Sequence, residues 1–170
     1  MATVRTRTLI ASLALSATAF VGVAVHEGYV DTATVPTKND RPTSGFGSTF
    51  HEDGTPIRLG EKTDPVTALK RSLVHIQKSE IGLKKCVTGP LNQIEYDILV
   101  DFSYQYGVVA TCKSSMVRQI NAGKYDDACK AYTLYKLSGG YDCSLTANKK
   151  ICGGVWTRNT ERRDKCLGVQ

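Results

Sequence analysis

The 24 residues from His26 to Thr49, HEGYVDTATVPTKNDRPTSGFGST, carry most of the chemistry this chain can offer. Glu27 lies just beyond an uncharged, apolar run. Asp31 and Asp40 follow, and Thr43 leads into Gly45-Phe46-Gly47-Ser48-Thr49. A carboxyl at the end of a buried helix is stripped of part of its hydration, which disfavours its charged form and suits a general acid. A second carboxylate nearby would activate water. The plainer reading has Glu27 capping the apolar segment and Asp40 serving as a turn residue.

Upstream, residues 1–25 contain no acidic side chain. Arg5 and Arg7 lead into the run Thr8–Val25, whose 18 residues would span about 27 Å as a helix, close to the thickness of a hydrocarbon core. The run is only weakly apolar. Thr8, Ser12, Ser16, Thr18 and Gly22 offset part of the insertion free energy of its leucines and valines, about 0.3–0.6 kcal/mol each. The arginines would keep the N-terminus cytoplasmic and place everything after Val25 outside. Ala17-Thr18-Ala19 also fits a signal-peptidase site, so a cleaved signal peptide stands beside an uncleaved, poorly anchored helix. Both readings export the chain.

The cysteines agree with export. All six (Cys86, Cys112, Cys129, Cys143, Cys152, Cys166) lie beyond the apolar run. An even number in an exported chain reads as three disulfides, with Cys143 and Cys152 placed to close a small loop. Zinc is the rival, but there is no Cys-x-x-Cys, and His26, His51 and His75 are scattered. No metal or cofactor is expected.

Composition sets the class. Of 170 residues, 41% are hydrophobic and 22% charged, which excludes a polytopic membrane protein, a collagen and a disordered chain. Without Arg5 and Arg7, 20 basic residues face 16 acidic ones, a net charge of +4 that suits an anionic wall polymer. Nucleic acid would suit it too, but no nucleic-acid motif is present.

The texture changes along the chain. Residues 26–62 are rich in Thr, Gly, Pro and Asp, and Ser44–Phe50 and Ile57–Leu59 flank the turn signal Asp53-Gly54, which predicts a small β-hairpin. Asp64-Pro65 opens an amphipathic helix over 65–79, with Val66, Leu69, Leu73 and Ile76 as its apolar stripe. Further helices are predicted over Leu91–Tyr106, Ser114–Asn121, Tyr125–Leu137 and Thr157–Leu167, with residues 141–154 as a cysteine-constrained loop. The fold class is α+β, a small hairpin lobe and a larger helical lobe joined by a helix.

At this point the residues resemble a family. Glu27-Gly28-Tyr29 followed by Pro42-Thr43-x-Gly45-Phe46-Gly47-x-Thr49 is similar to the N-terminal signature of phage lysozymes, or endolysins, of the T-even type. The similarity continues through Leu91–Asp97 and Phe102–Gly107, through Ser115–Gly123, and through Trp156–Arg162. The resemblance implies a lysozyme-like fold and a muramidase that hydrolyses the β-1,4 bond between N-acetylmuramic acid and N-acetylglucosamine in peptidoglycan. It implies Glu27 as general acid and Thr43 as the hydroxyl that positions water. The family's middle carboxylate does not align, because Thr37 stands six residues before Thr43. Asp40 is assigned as the partner, with Asp31 and Thr37 as alternatives. Ser48 replaces the His usual in this turn, so an ion pair common in the family is missing.

The resemblance also gives Thr8–Val25 a role. It implies a signal-anchor-release endolysin, divided as 1–25 (anchor and N-terminal helix) and 26–170 (catalytic domain: 26–62 small lobe, 63–85 connecting helix, 86–170 helical lobe). The chain would be tethered to the inner membrane through residues 8–25, facing the periplasm, and then released there as a monomer. The anchor holds no cysteine, which implies control by topology and refolding, without thiol exchange. Tyr104, Tyr106, Tyr132, Tyr135 and Trp156 are candidates to stack on sugars, against a reading of Tyr132 and Tyr135 as helix core. Three alternatives stand beside the muramidase: a lytic transglycosylase using the same Glu, a cysteine-histidine peptidase, and a non-catalytic wall-binding module stapled by disulfides.

Overall fold

The structure, a computed structural model, describes residues 6–36 and 40–170. Among them are seven α-helices and two two-stranded antiparallel sheets, a mixed α+β architecture. The chain divides into two compact units: residues 15–82, and the described residues up to Ala14 together with 83–170.

The smaller unit opens with α1 (Ala17–Glu27), capped by Ser16, whose hydroxyl accepts from the Ala19 amide at 3.1 Å. The helix ends at Gly28, where φ is +70°, a backbone state glycine adopts without penalty. β1 (Val30–Thr34) then pairs with β2 (Thr43–Gly45), Val30 opposite Gly45 and Thr34 opposite Thr43. The paired strands therefore lie earlier than the hairpin expected around Asp53-Gly54. A turn does form there, with Asp53 accepting from the Thr55 amide and hydroxyl at 2.8 Å each. Its flanks, however, meet only through the single bridge Phe50–Pro56, and Pro56 has no N–H with which to extend a ladder.

α2 (Pro65–Leu83) is capped by Asp64, which accepts from the Val66 and Thr67 amides at 2.9 and 3.0 Å. It runs a turn longer than expected, and its buried stripe is rotated. Ala68, Arg71, Ser72 and Ile76 are buried, whereas Val66, Leu69 and Leu73 are exposed. The reason is steric: a Cβ on Gly45 would stand 2.6 Å from the Ala68 Cβ, so the face turned to the β2 turn must carry small side chains.

The larger unit is built on α3 (Gln93–Tyr106), α4 (Val108–Cys112), α5 (Ser115–Asn121), α6 (Tyr125–Ala131) and α7 (Lys149–Leu167), with β3 (Leu137–Ser138) paired to β4 (Tyr141–Asp142). Asn92 and Glu95 form a reciprocal capping box at the start of α3. The core gathers Ile98, Phe102, Met116, Ala131 and Tyr132, with Tyr106 and Tyr135 packed against it. Tyr132 and Tyr135 are thus core residues. All six cysteines pair, as Cys86–Cys112, Cys129–Cys166 and Cys143–Cys152. The helix expected to reach Leu137 stops at Ala131, because Tyr132 turns its ring edge-on to Phe102, centroids 5.6 Å apart, and a 3₁₀ turn follows. The loop expected at 141–154 is instead the β3–β4 hairpin and the first turns of α7. Gly139 and Gly140, both at positive φ, supply the tight turn. α7 starts at Lys149 and kinks at Cys152.

The run Thr8–Val25 is not one helix in this structure. Thr8 and Leu91 exchange backbone hydrogen bonds of 2.9 and 2.8 Å, Ile10–Ser12 is a 3₁₀ turn with Ile10 buried, and α1 begins afresh at Ala17. Among the described residues, no helix is long and apolar enough to cross a membrane.

Candidate active site

Glu27 is the last residue of α1 and is partly buried. Its carboxyl lies directly against the turn that follows β2. A Cβ on Gly47 would stand 2.9 Å from Glu27 Oε2 and 3.6 Å from its Cδ. The two glycines of the turn therefore have separate reasons. Gly45 makes room for Ala68 of α2, and Gly47 makes room for the Glu27 carboxyl. Phe46, between them, packs on Tyr29 with ring centroids 5.5 Å apart, so the aromatic residue that follows Gly28 helps seat the same turn.

Thr43 opens β2, half-buried, with its hydroxyl donating to the Thr34 carbonyl at 3.4 Å. Asp40 is exposed on the link between β1 and β2. Asp31 is an exposed residue of β1 whose carbonyl accepts from the Thr63 amide at 2.8 Å. Thr37 lies outside the described residues. The fold thus brings Glu27 onto the turn that Thr43 begins, and it leaves Asp40 exposed on the link that precedes β2.

The turn is fastened from beneath by a residue the sequence reading did not single out. Arg71 is buried on α2, and its Nη1 donates to the Ser44 hydroxyl at 3.2 Å. Its Nε lies 3.7 Å from Glu52 Oε2. Ser44 and Ser48 also exchange backbone hydrogen bonds of 3.0 and 3.1 Å, and both are buried. Ser48 cannot form the ion pair that a His would make, and a buried guanidinium ties the same turn to α2. The signal was available: Arg71 falls three residues after Ala68 and five before Ile76, on the true buried face. Placing the stripe on Leu69 and Leu73 hid it. Next along α2, His75 is half-buried and its pKa is pushed down, first by burial and then by repulsion from Lys78 and Arg71.

Chemically, the arrangement offers a carboxyl at a helix end, a hydroxyl at the head of the turn it touches, and an exposed carboxylate three residues before that hydroxyl. It offers no thiol, since every cysteine is in a disulfide, so a cysteine-histidine peptidase has no nucleophile here.

The comparisons with known proteins point the same way. The phage lysozyme family matches residues 24–159. The endolysin of Salmonella phage P22 is 34% identical over 101 residues, covering 58% of this chain and 67% of that one. The SAR-endolysin of Escherichia phage 933W is 30% identical over 123 residues, covering 69% of this chain and 66% of its own length. This chain therefore spans about two thirds of the length of these relatives. Among solved structures, an endolysin from Escherichia coli O157:H7 phage FAHEc1 superimposes with a TM-score of 0.77 at 22% identity, covering 95% of this chain and 96% of that one. The match over residues 24–159 contains Glu27, Thr43 and the whole Gly45–Gly47 turn, and the chain belongs to the phage lysozyme family of glycoside hydrolases.

Proposed function

We propose that this chain is a muramidase endolysin that cleaves the β-1,4 bond between N-acetylmuramic acid and N-acetylglucosamine, with Glu27 as general acid. The observation that carries this reading is the seating of the Glu27 carboxyl on Gly47, within the turn headed by Thr43. Glu27 protonates the glycosidic oxygen as the bond breaks. Thr43 orients a water for attack on the anomeric carbon. Asp40 acts as the base or electrostatic partner; inversion would require its carboxyl to stand about 6.5–9.5 Å from that of Glu27, so that a water fits between them. The partner substrate is the anionic peptidoglycan strand.

The same reading covers regulation. Membrane-held, Thr8–Val25 would be one continuous helix with Glu27 pinned at the bilayer surface. In the folded chain that run is divided between a Thr8–Leu91 bridge, a 3₁₀ turn and α1, which is what a released and refolded anchor would look like. The name of the 933W relative, a SAR-endolysin, supports export, tethering at the inner membrane and release into the periplasm.

The test is to digest purified peptidoglycan with the disulfide-bonded protein and identify the new ends by mass spectrometry. Reducing muramic acid ends support the hydrolase. Anhydro-muramic ends would make the chain a lytic transglycosylase, and intact glycan would leave only a wall-binding module.

A further inference from the structure

Between α6 and the kink of α7, residues 134–152 form an excursion whose second half, from Cys143, is closed by the Cys143–Cys152 disulfide. It is tied internally. The Cys143 amide donates to the Lys136 carbonyl at 2.7 Å, and Asn148 Nδ2 donates to the Asp142 carbonyl at 2.9 Å. On this stapled element Leu134, Leu137, Tyr141, Leu145 and Ile151 are 47–67% exposed. Exposed apolar residues scattered singly need no explanation, but a concentration of large ones marks an interaction site. These five lie within 18 consecutive positions, on one stretch of chain held by the β3–β4 pairing and the Cys143–Cys152 bridge.

The charges around them are one-sided. The excursion carries Lys136, Lys149 and Lys150 against a single acid, Asp142. Lys136 neutralises that acid at 2.7 Å, which leaves Lys149 and Lys150 exposed and in excess. Four of the five apolar side chains are aliphatic. Sugars are held by aromatic faces and polar groups, so an aliphatic surface is poorly suited to a glycan. Aliphatic side chains with a tyrosine and flanking lysines are the composition of a surface that enters the headgroup region of a bilayer.

We propose that residues 134–152 dock on anionic phospholipid, with Leu137, Leu145 and Ile151 entering the headgroup boundary and Lys149 and Lys150 meeting phosphate. This contact belongs to the folded chain. It is separate from any anchoring by residues 8–25, and it does not depend on the muramidase reading.

The experiment is co-sedimentation of the full, disulfide-bonded chain with vesicles of equal parts phosphatidylglycerol and phosphatidylcholine, beside vesicles of phosphatidylcholine alone. The wild type should bind the anionic vesicles and not the neutral ones. The triple variant L137S/L145S/I151S should lose about tenfold or more in partition, and K149Q/K150Q about fivefold or more. Near-ultraviolet circular dichroism and cleavage of soluble glycan should be unchanged in both. V21S/V25S, on the exposed side of α1, should bind like the wild type. The proposal is overturned if the wild type does not bind anionic vesicles, or if the triple variant binds as well as the wild type. It is also overturned if V21S/V25S alone abolishes binding, or if the triple variant loses affinity only for peptidoglycan sacculi.

Discussion

The Glu27 carboxyl occupies the space that a side chain on Gly47 would need: a methyl group there would stand 2.9 Å from Oε2. Gly47 is also at φ +74°, so the backbone itself disfavours any other residue. Gly47→Ala should cost about 1–2 kcal/mol of stability and displace the Glu27 carboxyl. Activity on peptidoglycan should fall by more than the stability loss explains, at temperatures where circular dichroism shows the variant fully folded. A folded Gly47→Ala protein with wild-type turnover would show that the carboxyl does not depend on this seat.

Arg7 reaches across the sequence to Glu95. Its Nη2 lies 2.6 Å from Glu95 Oε1, and its guanidinium covers the Tyr125 ring at 3.6 Å. Glu95 is 4% exposed and also serves the capping box of α3. Arg7→Ala should therefore destabilise the larger unit by roughly 2–4 kcal/mol, because a buried carboxylate loses its cation. Adding Glu95→Gln should recover part of that loss. Urea unfolding of the two single variants and the double variant measures it; strictly additive effects would show that the pair does not act as a unit.

The three disulfides lie within the larger unit, and residues 8–25 hold no cysteine. Reductant should therefore not be needed for activation and should only weaken the fold. Replacing Cys86 and Cys112 by Ser, which opens a loop of sequence separation 26, should cost about 3–4 kcal/mol. An enzyme silent until reduced would contradict control by refolding.

His75 gives the smaller unit a dependence on pH. Burial, with repulsion from Lys78 and Arg71, holds its folded pKa below the ordinary value of 6.5, against the opposing pull of the His51 carbonyl and Glu52. The unfolded chain then binds the proton more readily, so stability is full above pH 6.5 and declines as pH falls through the depressed value. The urea midpoint should drop between pH 7.5 and 5, and His75→Gln should flatten that drop. Identical slopes for the two proteins would remove His75 as its cause.

Much of this was readable in the residues, where local chemistry decides. Asp64-Pro65, Asn92 with Glu95, and Gly107 mark helix ends that the structure keeps, because capping is a short-range hydrogen-bonding matter. Glu27, Gly45 and Gly47 were legible as a motif, but the separate partner of each glycine was not, since Ala68 and the Glu27 carboxyl arrive from other elements. The rotation of α2 escaped for the same reason: Leu69 and Leu73 have the better apolar pattern, and packing against Gly45 overrules it. The reading of 141–154 as a cysteine-constrained loop missed the start of α7 at Lys149, a helix that carries the poor helix formers Gly153 and Gly154 and the Cys143–Cys152 bridge at its kink. The division of Thr8–Val25 depended on a pairing with Leu91, more than 80 residues away, that no local pattern announces.

The muramidase reading rests on Glu27 as the proton donor. The direct measurement is the rate of release of reducing muramic acid ends from purified peptidoglycan by the wild type and by Glu27→Gln, both shown to be folded and disulfide-bonded. Glutamine keeps the shape of the side chain and removes its transferable proton, so the rate should fall by about 10²-fold or more with glycan binding retained. A Glu27→Gln protein that still releases these ends at the wild-type rate would remove Glu27 as the acid.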